Sequence, residues 1–305
     1  MPSAPHTTSA GSVSAVAPTA IEALVEKLNA LLPEPPAPPN FDDHIAFRWV
    51  RRSTLLGEVS FLKPVPLFAK IRVADLLHVS SQVDRVVQNT RRFVSGLPAN
   101  NVLLTGARGT GKSSLVRACL TEFSSQGLRL IEVDKDDLVD MPRIAEIVEA
   151  QPQRFVVFCD DLSFESGEGG YKALKTVLDG GLAAQSSNLL VYATSNRRHL
   201  MPESMRENLG TAYDADGEIH PAEAIEEKIS LSERFGLWVS FHSFNQNDYL
   251  DIVDHWLHQY GLSKDEQASA HRAALQWALE RGSRSGRVAL AFAKDWVAGH
   301  DSPKP

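Results

Sequence analysis

Eight consecutive residues, Gly106-Ala107-Arg108-Gly109-Thr110-Gly111-Lys112-Ser113, carry the most specific chemistry in the chain. Glycines let the backbone curl, so that successive N–H groups converge on phosphate oxygens, and the N-terminus of a following helix adds positive potential. Lys112 is then placed to bridge terminal phosphates, the Ser113 hydroxyl to ligate magnesium, and Ser114 to complete the cradle. The stretch lies between an apolar run, Val102–Leu104, and a helical pattern bearing Leu115, Cys119, Leu120 and Phe123. A glycine turn from strand to helix is common, but it does not require Gly-Lys-Ser at this offset. The expected ligands are ATP and Mg2+. The loop itself grips only phosphates, which leaves the choice of base to apolar contacts near residues 73 to 79.

A second apolar run, Phe155-Val156-Val157-Phe158-Cys159, leads directly into Asp160-Asp161. It reads as a buried strand delivering two carboxylates at its C-terminal end, where a doubly wound sheet binds ligands. Asp160 is expected to hold magnesium, directly or through water, and Asp161 to polarise the water that attacks the terminal phosphate. Glu165 is a competing base on the same loop. A third run, Leu189–Ala193, ends in Thr194-Ser195-Asn196. The Asn196 amide can both donate and accept, which orienting a nucleophilic water demands, and its order after the acidic strand favours that role over an ordinary turn asparagine.

These residues need a scaffold. Runs at 101–105, 128–133, 155–159, 189–193 and 237–241 alternate with helical patterns, which predicts a five-stranded parallel sheet with helices on both faces, an α/β P-loop NTPase fold. A helix is expected from about Ser80 to Phe93. After Phe244 the pattern is helical only: Tyr249, Ile252, Val253, Trp256, Leu257 and Tyr260 mark one apolar stripe, Ser263 and Glu266 have capping-box spacing, and Val288, Ala291, Phe292 and Trp296 mark a further helix. The organisation expected is a disordered, Pro-rich segment at 1–40 with a short helix from Ile21, and a mixed segment at 41–98. An α/β core at 99–244, a C-terminal all-α lid at 245–299 and a tail at 300–305 complete it. The acidic stretch from Met205 to Glu227 is long for a loop and is a candidate client contact.

With 305 residues, 43% hydrophobic content and a formal net charge of -7, the chain can bury a sizeable core. Its acidic balance argues against general affinity for nucleic acid or anionic membrane. The arginines at 48, 51 and 52 and the Arg197-Arg198 pair lack interleaved aromatics and read as solvated faces. The two cysteines, Cys119 and Cys159, sit in apolar runs and read as reduced core residues. His255 and His258 stand three apart without an evident third ligand, so a packed helix is expected there and not a metal site. Without a long apolar run or a secretory pattern, the expected location is cytoplasmic, with no membrane contact.

Several of these motifs, in this order, carry a resemblance. The stretch from about Leu76 to Trp296 resembles the bacterial AAA+ group catalogued as domain of unknown function 815. The marks are Gln88-Asn89-Thr90 with Phe93, Asn101-Val102-Leu103-Leu104 leading into the phosphate loop, and Asp160-Asp161-Leu162-Ser163-Phe164. They continue with Ala193-Thr194-Ser195-Asn196-Arg197-Arg198-His199 and Ser285-Gly286-Arg287. The resemblance implies an ATPase core with a helical lid and a double Asp as the group's normal form, although most AAA+ proteins carry Asp-Glu there. The shorter Asp161 then implies slow turnover, or hydrolysis only after partner-driven closure. It implies sensor 1 at Asn196 and sensor 2 at Arg287, with Arg284 as rival. Arg234, in Arg234-Phe235, looks like an arginine finger acting on a neighbouring subunit, against the reading of a surface salt bridge. A homo-oligomer, possible as a ring, and an unknown protein client follow as expected partners. The competing functions are a slow or non-hydrolysing nucleotide-gated switch and a DNA-associated loader.

Overall fold

The computed structural model describes residue 22 and residues 37–54, 57–66, 71–162, 169–179, 187–196 and 233–300. The expectations placed on residues 1–20, on Glu165, on Arg197-Arg198 and on the 205–227 stretch lie outside the described residues, as does the helix expected from Ile21 apart from Glu22, which is helical.

Strands β1 (Ala46–Thr54), β2 (Gly57–Pro64), β3 (Val102–Gly106), β4 (Leu128–Glu132), β5 (Arg154–Cys159), β6 (Leu189–Ser195) and β7 (Leu237–Phe241) form one sheet in the order β2-β1-β4-β5-β6-β3-β7. All neighbours are parallel except β1 and β2, which form an antiparallel pair. The five expected strands are all present, but the sheet has seven. The difference is the pair β1 and β2, which the apolar-run criterion passes over. In β1, Phe47 and Trp49 are buried and Arg48 between them is exposed, the alternation of a half-covered strand. Asp140 ties this pair to the core by accepting from Trp49 Nε1 at 2.9 Å, Ser60 Oγ at 3.3 Å and Arg51 Nη2 at 3.4 Å.

Alternate residues of each central strand enter opposite layers. Val102 and Leu104 of β3, Val156 and Phe158 of β5, and Leu190 and Tyr192 of β6 share one core with α1 (Ser80–Val94) and α2 (Lys112–Phe123). Leu103, Phe155, Val157, Val191 and Ala193 enter the other core, with α3 (Met141–Glu149) and α4 (Gly169–Leu178). Burial on both faces is what makes these strands read as unbroken apolar runs. Both cysteines are buried and free, and burial pushes each thiol up to about 12.

The C-terminal helices α5 (Gln246–Gln259), α6 (Lys264–Glu280) and α7 (Gly286–His300) pack on the first core through Tyr249, Val253, Leu257, Ala274 and Phe292. Asn245 caps α5 and Ser263 with Glu266 caps α6, each in a capping box. At the sheet's other edge the outward carbonyls of β7 are met by side chains of α1: Arg85 donates to Trp238 O and Gln82 to Ser240 O, both at 3.1 Å. Side-chain donors on an edge strand discourage pairing with a second sheet. Among the described residues, no helix is long and apolar enough to cross a membrane.

Candidate active site

The loop between β3 and α2 depends on backbone conformations that glycine adopts freely. Gly106, Gly109 and Gly111 have φ of 127°, 73° and 101°. A Cβ on Gly106 would lie 1.9 Å from Phe241 O, so only a glycine lets β7 run this close to the loop. Lys112 opens α2 and is buried, 5% exposed. Its ammonium donates to Gly106 O and Ala107 O at 2.8 Å and to Asn196 Oδ1 at 3.1 Å. Burial lowers the Lys112 pKa from its ordinary value, an effect that Asp160 and Asp161 oppose.

Pairing of β5 with β6 brings the two acidic residues beside the polar end of the neighbouring strand. Asp160 Oδ1 accepts from Ser113 Oγ at 2.6 Å and from Thr194 Oγ1 at 2.5 Å. Thr194 also fixes the next residue, since its Oγ1 accepts from Asp161 N at 2.9 Å and its carbonyl accepts from Leu162 N at 2.6 Å. Asp161 has φ 53°, a left-handed conformation that Asp adopts more readily than most residues. Its carboxylate accepts from Asn196 Nδ2 at 2.5 Å and faces Arg108 Nη2 at 3.7 Å.

A cavity of about 620 Å³ opens on this constellation. Of the expected residues, Arg108, Gly109, Thr110, Gly111, Lys112, Ser113 and Ser114 line it, as do Asp160, Asp161, Asn196 and Arg287. Gly106 and Ala107 sit behind the loop as acceptors for Lys112. The apolar lining comes from Ile71, Leu76, Leu77 and Val79 before α1, alongside Asp75, and from Ile252, Trp256 and Leu290 of the lid, so the segment 73 to 79 contributes to this cavity. Arg284 is exposed and does not line the cavity, whereas Arg287 does. Arg234 does not line it either; its Nε donates to the carboxylate of Asp179 at the end of α4.

Among the polar lining residues, Thr194 and Arg117 have no role in the reading of the sequence. Thr194 sits inside an apolar strand, and its role arises only from strand pairing; its signal was a hydroxyl two positions before Asn196. Arg117 lies three residues after Ser114, on the same face of α2. The lid touches the loop directly: Gly286 N donates to Gly109 O at 2.9 Å, and a Cβ on Gly109 would lie 2.6 Å from Ser285 Cβ.

The arrangement offers a hydroxyl, a carboxylate, an ammonium and a glycine-rich loop to a cavity that also has apolar lining. Oxygen ligands of this kind suit a hard divalent ion that completes its shell with phosphate and water. Among the described residues no group of three or more His, Cys, Asp or Glu could hold a metal by itself.

A family model described as "Protein of unknown function (DUF815)" matches residues 42–300. No curated protein matches the sequence. Among solved structures, the Orc1 protein of Aeropyrum pernix in complex with DNA is 15% identical with a TM-score of 0.49, over 77% of this chain and 66% of that one. The RuvB Holliday junction branch migration motor of Thermotoga maritima is 15% identical with a TM-score of 0.46, over 74% of this chain and 63% of that one. The chain thus spans less than two thirds of the length of either.

Proposed function

The chain belongs to the DUF815 family, and from that membership and the site geometry we propose that it is a magnesium-dependent AAA+ ATPase whose nucleotide state moves the helical lid. The observation that carries this reading is the convergence of Lys112, Ser113, Asp160, Asp161 and Asn196, drawn from three strand ends, on one cavity. Backbone N–H groups of the loop and the Lys112 ammonium bind the phosphates, and Arg287 reaches them from the lid. Ser113 and Asp160, already 2.6 Å apart, are the residues that would hold Mg2+. When bound, the ion would screen phosphate charge and help neutralise the leaving group. Asp161 accepts the proton of the attacking water, and Asn196 orients that water while holding Asp161 in place. The apolar wall receives the base.

Hydrolysis is measured as phosphate release from Mg-ATP. The expected result is a slow rate that Lys112→Ala and Asp160→Ala each lower by about a hundredfold or more; a rate unchanged by both variants would leave no case for this site. A nucleotide-gated switch is the second reading. It is favoured by the short Asp161 side chain, tied to Asn196 and Arg108, and saturable binding without turnover would establish it.

Arg234 lies away from the cavity, consistent with action on a neighbouring subunit in a homo-oligomer. Sedimentation with and without nucleotide tests this, and a chain that stays monomeric under both conditions would remove the trans role. The work output is remodelling or loading of a macromolecular client. A DNA-loading role is tested by salt-sensitive binding to single- and double-stranded DNA.

A further inference from the structure

We propose that a second cavity, between α1 and the starts of β3 and β7, is a site for a single phosphate-type oxyanion held by Arg85, Gln88 and Arg92. The cavity measures about 170 Å³ and is lined by these three residues with Asn89, Asn100 and Leu237. Asn100 and Leu237 stand where β3 and β7 begin, whereas the phosphate loop leaves the end of β3. The two cavities therefore lie at opposite ends of the sheet, and the proposal stands apart from the nucleotide reading of the first.

Four of the lining residues come from one stripe of α1. Positions 85, 88, 89 and 92 share a helix face, and each carries a hydrogen-bond donor while none is acidic. The neighbouring stripe, Val83, Val86, Thr90 and Phe93, is the one that enters the core. An arginine on a helix surface gains from a carboxylate three or four positions away, and neither Arg85 nor Arg92 has one on either side. Two guanidinium groups thus face one concavity whose lining holds no acid, in a chain with a formal net charge of -7. Like charges placed together repel, and an anion between them removes that cost.

The stretch Gln88-Asn89-Thr90 divides between floor and ligand. Asn89 and Thr90 are buried and turn inward: Asn89 Nδ2 donates to Asn100 O at 2.9 Å and to Tyr192 Oη at 3.1 Å, Asn89 Oδ1 accepts from Asn100 N at 3.0 Å, and the Thr90 hydroxyl lies 2.8 Å from that of Tyr192. These bonds fix the floor and use up the Asn89 amide. Arg85 is anchored by its bond to Trp238 O, which leaves its other N–H groups for a ligand. Among the described residues, the side chains of Gln88 and Arg92 have no hydrogen-bond or ion-pair partner. An anchored guanidinium, a free one and a free amide around one hollow match the several acceptor oxygens of a phosphate. Pockets for whole small molecules begin at about 300 Å³. This one is smaller, so its ligand is one oxyanion: inorganic phosphate, or a phosphate group borne by a larger molecule.

The test is titration of the full chain with inorganic phosphate, with chloride at matched ionic strength as control, followed through the assigned backbone amide signals of Gln88 and Asn100. These report on this cavity, and phosphate taken up by the loop at the other end of the sheet moves other signals. Saturable shifts with phosphate and none with chloride are expected, with affinity about tenfold lower in Arg92→Gln, which removes one charge-assisted pair. Should that variant fail to fold, Gln88→Glu sets a repelling carboxylate in the cavity and carries the same expectation, read at Asn100. Equal shifts in chloride, or an affinity unchanged in the folded variant, overturn the site. A parallel titration with a single-stranded DNA oligonucleotide separates the two sources: shifts at the same amides support a phosphate borne by a polymer, and their absence beside binding of inorganic phosphate supports the free ion. Shifts with DNA but none with inorganic phosphate overturn the assignment to a single oxyanion.

Discussion

At the scale of single residues, the site is a set of polar groups that fix one another. Asp160 is held by two hydroxyls, and one of them, Thr194, also holds the backbone of Asp161. Thr194→Val keeps the shape but removes a donor to Asp160 and the acceptor for the Asp161 N–H. A buried donor left without a partner costs about 1–3 kcal/mol. The expected outcome is a thermal midpoint lowered accordingly and turnover lowered by about tenfold, because both carboxylates lose their placement; unchanged turnover in a folded variant would show that Thr194 does not position them. The residues with a fixed spacing were legible in the sequence: Lys112 and Ser113 from the glycine pattern, and Asp160 from its place at a strand end. Thr194 was not, because its partners come from the parallel pairing of β5 and β6 and no local pattern records that register. The left-handed backbone of Asp161 suits Asp better than Glu: Asp is enriched in that conformation, so a longer reach would come with backbone strain.

At the scale of elements, the phosphate loop is a junction of strand, helix and lid. Gly109 is the point where the lid rests on the loop, through Gly286 N to Gly109 O and the Ser285 side chain. Gly109→Ala places a methyl against Ser285 and strains a φ of 73°, at a cost of about 1–2 kcal/mol. The lid helix α7 must then shift and carry Arg287 with it. We expect nucleotide affinity to fall by about tenfold while most of the thermal stability remains; an affinity equal to the wild type would show that this contact does not govern the site. Strands β3, β4, β5 and β6 were legible because both of their faces are buried, and the edge strand β7 because it is a short run with Val239 and Phe241 in the core. The β1 and β2 pair was not, since arginines interrupt its apolar residues and its place beside β4 is anchored by Asp140, some 90 positions away in sequence from Trp49 and Arg51. The lid helices were legible through their 3.6-residue stripes and caps.

At the scale of the whole molecule, one sheet separates two cores, and only the core shared with α1 and α2 extends into the lid. Lid and loop are therefore joined through packed side chains and through the Gly109 contact. That coupling is what would turn nucleotide state into movement, and it gives Arg287 and Trp256 a common route into the cavity. Arg234 forms an ion pair with Asp179 outside the cavity, as the surface salt-bridge reading expects, and its action on a second subunit rests on the proposed function. The client that the proposed function calls for was not legible in the sequence, for a physical reason: phosphate chemistry fixes residue types and spacing, whereas a client surface is free to vary. The most direct measurement is an equilibrium titration of the folded chain with labelled ATP, with and without Mg2+. The account predicts saturable uptake that strengthens with Mg2+ in the wild type, weakens in Lys112→Ala, and loses its Mg2+ dependence in Asp160→Ala. Uptake that is absent from well-folded wild-type protein, or indifferent to all three changes, would contradict it.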